Sequence, residues 1–374
     1  MKKISIMLLS AIFIAFMISW SPVKKSGHRE IAEVRNIVFM IGDGMGLATV
    51  YTAMTVSHHP LNIERCNIIG LQKTFSSDHY ITDSGAAATA FASGHKTNNG
   101  AIGMDSQGKP VKSILEIAKE NGLATGLVST SAVTDATPAA FIAHESSKNS
   151  PEDIARDFLK ADIDVFIGGG YDYFANRTDK LNLIDSLKAR GYKVETSMNA
   201  LSKSSSLKLA GLIAPVNTPF RLDGRGDMLP ASSLKAIEIL NKNPKGFFLM
   251  IEGGEIDWAA HKKDVPPLID ETLDFDDAVG KVLDFAKNDG HTLVVITADH
   301  ETGGIAITGG SIPGHRAILN IPVKGHTAVM VPVFAYGPGA DKFGGIYDNT
   351  EFFQKFLTSY GFEDLNLVLA NPSY

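Results

Sequence analysis

The chain has 374 residues, of which 44% are hydrophobic and 20% are charged, so its composition is that of a folded globular protein rather than a disordered one. A chain of this length can form one α/β domain with a continuous sheet. The formal net charge of −6 argues against general electrostatic attraction to nucleic acid or to an anionic membrane, and an anionic substrate would need a strongly positive local site such as bound metal.

The N-terminus is typical of a secretory signal. Two lysines follow the first methionine, residues 4–20 are apolar, and Ser21 and Pro22 end the run. The run is shorter than the roughly 20 residues that span a bilayer. We therefore predict a signal peptide over residues 1–22 and a single domain over residues 28–374. Because no A-x-A cleavage site is evident, an uncleaved anchor is the alternative.

Short apolar runs that end in glycine or acidic residues alternate with helical patterns along the chain. The runs predict strands at residues 36–41, 124–129, 164–167, 247–251, 292–298 and 331–336. Such strands, alternating with amphipathic helices, predict an α/β three-layer sandwich with a central, mainly parallel β-sheet flanked by helices. Ligands bind beyond the carboxyl ends of the strands in sheets of this kind. We predict surface loops at residues 202–206 and 217–230, and a Gly-rich flap or rim between residues 305 and 324.

The first predicted strand ends at Asp43, which lies between Gly42 and Gly44. Taken alone, this segment is a plain turn, because Gly and Asp are both favoured in turns.

Cys66, the only cysteine, is predicted to be a buried apolar thiol. Structural zinc held by several thiolates is therefore excluded, and any metal must be held by carboxylates, imidazoles and hydroxyls.

Ser84 precedes a run of small, helix-favouring residues. The usual role of such a serine is that of a helix N-cap. The alternative is a nucleophile at a helix N-terminus, where backbone N–H groups and the helix dipole favour an incoming anion. No His-Asp pair lies nearby in the sequence to act as its base, so a metal would have to lower the pKa of the hydroxyl.

Carboxylates and imidazoles with the spacing of metal ligands follow in the second half of the chain. Asp257 and His261 are four residues apart, so a helix would place them on one face, although surface pairs also meet by chance at this spacing. Asp299 and His300 follow a predicted strand, and His326 precedes another. We predict structural or surface roles for His28, His58, His59, His79, His95, His291 and His315.

Together these segments resemble the bacterial alkaline phosphatases from about residue 36 to residue 357. The matching strings, in the order of the family, are Asp43-Gly-Met-Gly, Thr82-Asp-Ser-Gly-Ala-Ala-Ala-Thr-Ala with Gly94-His-Lys-Thr-Asn-Asn-Gly-Ala downstream, Asp135-Ala-Thr-Pro-Ala-Ala, the segment 252–261, Thr297-Ala-Asp-His and Gly325-His-Thr. The resemblance implies a metal-dependent phosphomonoesterase with one catalytic domain, secreted across the inner membrane into the periplasm.

The resemblance also implies the role of each residue. It implies one zinc held by Asp257, His261 and His326, and a second zinc held by Asp43, Asp299 and His300, with Ser84 as the remaining ligand. It implies magnesium bound by Asp43, Thr137 and Glu252, with Asp135 reaching the ion through water. Ser84 would attack phosphorus and form a phosphoserine, and inorganic phosphate should inhibit. The predicted substrate contacts are Asp83, Lys148 and Trp258.

Two positions depart from the best-known bacterial pattern. Lys148 stands where the family carries an arginine that binds the phosphate. We hypothesise that Lys148 still binds phosphate, but more weakly, because it offers one compact charge instead of a planar fork; a solvated lysine is the alternative. Trp258 stands where members of the family vary among Lys, His and Trp, and with Asp135 retained we still expect magnesium.

Three alternatives to a phosphomonoesterase follow from the same residues. A phosphodiesterase or a sulfatase of the same superfamily is the closest, but Ser84 after Asp83 and the full three-metal set favour monoesters. A protein that captures phosphate without turnover is a different class, and the presence of every metal ligand argues against it. Many relatives are homodimers, and that suggestion rests on analogy alone.

Overall fold

The computed structural model of the protein describes residues 33–362. The predicted signal peptide, His28 and both ends of the predicted domain lie outside the described residues. Within residues 33–362, no helix has the length and apolar character needed to cross a membrane.

A ten-stranded sheet forms the centre of the fold, with the strand order β14-β2-β13-β8-β1-β7-β3-β4-β6-β5. Strand β13 is antiparallel to β2 and β8, and the remaining pairs of this sheet are parallel. Two small antiparallel sheets, β10–β11 and β9–β12, lie outside it. The strands are β1 (Asn36–Gly42), β2 (Ile68–Lys73), β3 (Ala124–Ala132), β4 (Val165–Gly169), β5 (Lys193–Glu195), β6 (Leu209–Leu212), β7 (Phe247–Gly253), β8 (Thr292–Thr297), β9 (Glu301–Thr302), β10 (Ala306–Ser311), β11 (Arg316–Asn320), β12 (His326–Thr327), β13 (Val331–Tyr336) and β14 (Gly345–Asp348).

Helices cover both faces of the sheet. In chain order they are α1 (Leu47–Val56), α2 (Ser84–Ser93), α3 (Ile114–Glu120), α4 (Ala136–Ala139), α5 (Pro151–Ala161), α6 (Tyr171–Ala175), α7 (Leu183–Ala189), α8 (Met198–Lys203), α9 (Met228–Leu240), α10 (Glu255–Lys262), α11 (Val265–Asp289) and α12 (Glu351–Tyr360). Side chains alternate along β1, so that Ile37 and Phe39 belong to the core beneath α2 and α12, whereas Val38 and Met40 belong to the core beneath α10 and α11. The predicted three-layer sandwich is therefore confirmed.

The predicted loops differ from the structure in three places. Residues 202–203 end helix α8, and residues 228–230 form the first turn of α9, where Pro230 is tolerated because its missing N–H has no intrahelical partner there. The predicted flap contains the antiparallel hairpin β10–β11. Cys66 is buried, as predicted.

Candidate active site

Parallel pairing brings the ends of three strands to one point at the carboxyl edge of the sheet. Ile41 of β1 lies beside Glu252 of β7 on one side and beside Thr297 of β8 on the other. Asp43 and the Asp299-His300 pair follow β1 and β8 directly, so they emerge next to Glu252. Because β13 runs in the opposite direction, its amino end lies at this same edge, and His326 just before it reaches the site.

The first ligand group consists of Asp43, Asp299 and His300, and one potential ligand atom from each lies within 4.8 Å of the others. His300 Nε2 is 3.1 Å from Asp299 Oδ2 and 3.5 Å from Asp43 Oδ1. Ser84 Oγ lies 3.2 Å from the same Nε2. The serine hydroxyl therefore faces the group that the family resemblance assigns to the second zinc.

The second ligand group contains Asp257, His261 and His326. Helix α10 places Asp257 and His261 on one face, with His261 Nε2 at 3.1 Å from Asp257 Oδ2. His326 Nε2 lies 3.7 Å from Asp257 Oδ1 and 3.2 Å from His261 Nε2. Asp257 and His326 also lie within 4.8 Å of a ring nitrogen of His300, so the two groups are continuous.

Hydrogen bonds to backbone carbonyl oxygens orient two of the imidazoles in the same way. His326 Nδ1 lies 3.0 Å from the carbonyl oxygen of Thr82, and His261 Nδ1 contacts the carbonyl oxygen of Lys324. Since carbonyl oxygens only accept, each Nδ1 carries the proton and each Nε2 presents its lone pair to the site. The lone pairs of His261 and His326 then point at one another across 3.2 Å, and either a bound cation or a proton on one of the two nitrogens relieves their repulsion.

Glu252, Thr137 and Asp135 lie beside Asp43. The hydroxyl of Thr137 in α4 is 3.5 Å from Asp43 Oδ2, and Asp135 caps α4 by accepting from the N–H of Ala136 at 2.8 Å. Glu252 accepts hydrogen bonds from the hydroxyls of Ser129 and Ser131. Between residues 33 and 362, the three carboxylates do not approach each other closely enough to form a third compact ligand group.

The electrostatics of the site fit bound cations. Burial, together with the neighbouring carboxylates of Asp299 and Asp257, raises the pKa of Asp43 well above its usual value. Burial, followed by the charge of Asp135, raises the pKa of Glu252 to about 8. Asp43 Oδ1 and Asp299 Oδ2 are buried and accept no well-formed hydrogen bond from the described residues. Buried, mutually repelling carboxylates with free lone pairs are what divalent ions bind.

Ser84 is the first residue of helix α2 rather than its cap. Asp83 is the N-cap, and its Oδ1 accepts from the N–H of Ala86 at 2.9 Å. The alternative that Ser84 caps the helix is therefore excluded, because the carboxylate of Asp83 caps it instead. The hydroxyl of Ser84 is left to face His300.

Lys148 lies close to Ser84 and is paired with Asp83. Its Nζ is 2.9 Å from Asp83 Oδ2, which also accepts from the N–H of Gly100 at 2.8 Å. Burial alone would lower the pKa of Lys148, but Asp83 and the site carboxylates outweigh it, so the pKa is raised and the amine stays charged. Asp83 was predicted to contact substrate. In the structure its carboxylate caps α2 and forms an ion pair with Lys148.

Some residues that support the site were not assigned a role from the sequence. The hydroxyl of Thr302 donates to Asp257 Oδ1 and lies 3.2 Å from His300 Nδ1, so it joins the two ligand groups. Thr302 could have been found from the sequence, because it lies only two residues after the predicted ligand His300. Gly44 has a φ of 69°, and a Cβ there would lie 2.8 Å from Asp257 Oδ1, which requires glycine at this turn. Trp258 follows Asp257 and is half-buried at the rim of the site.

Comparisons with known proteins identify the family of this chain. The family model for alkaline phosphatase matches residues 34–322. The chain is 36% identical to alkaline phosphatase 4 of Bacillus subtilis, over 92% of each chain. It is similar to the alkaline phosphatase of the Antarctic bacterium TAB5, with 40% identity, a TM-score of 0.84, and coverage of 88% of this chain and 99% of that one. A variant of the TAB5 enzyme with Mg bound in the M3 site matches equally well, at 40% identity and a TM-score of 0.84, over 89% of this chain and 99% of that one. This chain therefore belongs to the alkaline phosphatase family and is a phosphoric monoester hydrolase.

Proposed function

We propose that the chain hydrolyses phosphate monoesters to alcohol and inorganic phosphate through a phosphoserine at Ser84, in a site that holds two zinc ions and one magnesium ion. The observation that carries the proposal is the 3.2 Å approach of Ser84 Oγ to His300 Nε2, within a ligand group in which Asp43 Oδ1 and Asp299 Oδ2 have no hydrogen-bond partner among the described residues. A serine with a free hydroxyl at a helix N-terminus, beside a cation site, has both the position and the means of activation that a nucleophile needs.

In the proposed site, one zinc is bound by Asp257, His261 and His326 and the other by Asp43, Asp299 and His300, with Ser84 beside it. Magnesium is bound by Asp43, Thr137 and Glu252, with Asp135 reaching it through water; Mg in the M3 site of the TAB5 variant supports this assignment. When bound, these ions lower the pKa of the serine hydroxyl and neutralise charge on the phosphoryl oxygens.

The protein's own residues then perform two displacements. Ser84 Oγ attacks phosphorus as its proton passes to solvent, the bond to the ester oxygen breaks, and the alcohol leaves after taking up a proton. Water next attacks the phosphoserine, which releases phosphate and restores the hydroxyl of Ser84. Lys148 holds a phosphoryl oxygen, and the first turn of α2 directs its positive dipole end toward the same group.

We further propose that the chain is exported and acts as one catalytic domain in the periplasm, on small phosphate monoesters. The N-terminal pattern of two lysines and an apolar run supports export. The net charge of −6 supports the absence of a dedicated nucleic-acid partner. A homodimer is proposed by analogy with the family.

The proposed function predicts a strong preference for monoesters. With zinc and magnesium supplied, purified protein should turn over an aryl phosphate at least about a hundredfold faster than the corresponding diester or sulfate ester, because the site holds a doubly charged group. A chelator should remove the activity, and restored metal should return it. Faster turnover of the diester or sulfate would contradict the proposal, and retention of one phosphate per chain without turnover would favour a phosphate-capturing protein.

Lys148 is expected to bind phosphate through its single charge. Lys148→Ala should raise the inhibition constant of inorganic phosphate about tenfold, which corresponds to the loss of one charge-assisted hydrogen bond of about 1.5 kcal/mol. Lys148→Arg should instead lower the inhibition constant, because guanidinium can donate two parallel hydrogen bonds. Lys160→Ala, at an exposed lysine of α5, is the control. An inhibition constant and turnover that stay unchanged in Lys148→Arg would disprove the assignment.

A further inference from the structure

A cavity of about 280 Å³ opens directly beside the candidate active site. It shares Asp135 and Lys148 with the site and is also lined by Thr134, Tyr173, Asn217 and Trp258. Lys148 lies next to the start of α2 through its ion pair with Asp83, and Trp258 directly follows Asp257. The cavity therefore adjoins residues next to the nucleophile's helix and next to the second ligand group. We call it the side pocket.

The walls of the side pocket are formed by two half-buried aromatic side chains on different helices. Tyr173 belongs to α6 and Trp258 to α10. Helix α6 is held in place by the buried Arg177, whose guanidinium donates to the carbonyl oxygens of Tyr173 at 2.9 Å and Glu152 at 2.6 Å. Aromatic side chains that are held in place by rigid helices can pack against the apolar faces of a bound ring.

Fixed polar groups complete the side pocket. The side chain of Asn217 is oriented because its Oδ1 accepts from the N–H of Ala132 at 2.8 Å, and its Nδ2 has no partner among the described residues. The hydroxyl of Thr134 is buried and is likewise without a hydrogen-bond partner in the described part of the chain. Buried polar groups are normally satisfied, so the hydroxyl of Thr134 has room for a partner from a ligand or from water, and the half-buried amide of Asn217 offers a further donor.

Backbone hydrogen bonds tie the two sides of the pocket together. The N–H of Tyr171 donates to Ala214 at 3.0 Å and the N–H of Asp172 donates to Pro215 at 2.9 Å. The helix that carries Tyr173 and the segment that carries Asn217 therefore form one rigid unit. A preformed pocket loses little entropy on binding, so its contacts can contribute to substrate selection.

We propose that the side pocket binds the ring of the leaving alcohol, so that the enzyme prefers monoesters whose alcohol carries a ring with polar substituents next to the phosphorylated oxygen. This inference rests on the proposed function and names a substrate class for it. A volume of about 280 Å³ holds one ring rather than a large molecule. Tyr173 and Trp258 contact the faces of the ring, whereas Asn217 and Thr134 bind its polar edge.

The test compares esters of primary alcohols, so that the chemistry of the leaving oxygen stays similar. The probes are ethyl phosphate, benzyl phosphate and glucose 6-phosphate. We expect kcat/KM for glucose 6-phosphate to exceed that for ethyl phosphate about tenfold, with benzyl phosphate between them. If kcat/KM for benzyl phosphate equals that for glucose 6-phosphate, the preference comes from the aromatic walls. If it equals that for ethyl phosphate, the preference comes from the polar edge. If no probe is hydrolysed, the proposed function itself fails; if all three are hydrolysed equally, only the side-pocket inference fails.

Variants locate the preference. Tyr173→Leu and Asn217→Ala should lower the ratio of kcat/KM for glucose 6-phosphate to that for ethyl phosphate at least about fivefold, mainly through KM. Tyr171→Leu, two residues away on the same short helix and outside the side pocket, is the matched control and should leave the ratio unchanged. A Tyr173 variant that loses activity equally on both esters would show a structural role instead, and an unchanged ratio in both variants would overturn the inference.

Discussion

Ser84→Ala is expected to reduce phosphatase turnover by about three orders of magnitude or more, because it removes the only atom that forms the covalent intermediate. The fold should tolerate this change. The cap of α2 is supplied by Asp83, alanine is the best helix former, and the hydroxyl of Ser84 has His300 as its hydrogen-bond partner among the described side chains. Turnover of an aryl phosphate measures the loss, and mass spectrometry of acid-quenched wild-type enzyme should detect phosphate on Ser84.

Ser93→Ala is the matched control for Ser84. Ser93 ends the same helix, and its hydroxyl donates to the carbonyl oxygen of Thr89 at 2.7 Å, away from the ligand groups. This variant should keep nearly full activity and the same metal content. If Ser84→Ala retains turnover within a few-fold of the wild type, while still binding zinc, a direct attack by water would replace the phosphoserine mechanism.

The centre of the fold could be predicted from the sequence because six of the ten strands of the main sheet are largely apolar runs, whereas β2, β5, β6 and β14 were not predicted. The six predicted strands are all present, and Asp43 and Asp299 follow their strands as expected. What the runs could not indicate was direction. An apolar segment such as residues 331–336 has the same pattern in either orientation, so the antiparallel placement of β13, which brings His326 to the site, depends on tertiary pairing with β2 and β8.

Only part of the candidate site could be predicted from the residues themselves. Asp257 and His261 could be paired because helical spacing is a local property, and the remaining ligands were assigned through the family resemblance. The role of Asp83 as the cap of α2 and the partner of Lys148 was not predicted. The sequence does not show whether a carboxylate next to the nucleophile contacts the substrate or caps the helix. The side pocket was also missed: Tyr173 and Asn217 are distant in the sequence, and backbone hydrogen bonds between the start of α6 and residues 214–215 bring their segments together.

Asp43→Asn is expected to change the stability of the protein in opposite directions with and without metal. Burial and the carboxylates of Asp299 and Asp257 raise the pKa of Asp43 in the folded state. An acid whose folded pKa is raised binds its proton more tightly when folded, so its ionisation costs stability as the pH rises above the unfolded value near 4. At pH 8, without metal, the neutral amide should therefore make the protein more stable.

With zinc present, the sign should reverse. Ligands that bind only the folded state add about 4 kcal/mol of stability at a thousandfold excess over their Kd, and Asp43 lies in the ligand group with Asp299 and His300 while also contacting Thr137. Asparagine supplies a weaker, uncharged ligand, so Asp43→Asn should lose most of this gain and nearly all turnover. Thermal melts in chelator and in excess zinc, together with metal content, measure both effects.

Asp276→Asn is the control for Asp43→Asn. It shows how much stability is lost when a buried carboxylate that binds no ion is replaced by an amide. Asp276 is buried on α11, away from the site, and accepts hydrogen bonds from the N–H groups of Asn62 at 2.7 Å and Ile63 at 2.9 Å. Its replacement should lower the melting temperature by the same amount with and without zinc, because no ion is involved. If Asp43→Asn behaves like Asp276→Asn, Asp43 holds the fold through hydrogen bonds alone. If its two shifts have opposite signs, the charge of Asp43 is kept for the ions, at the expense of the metal-free fold.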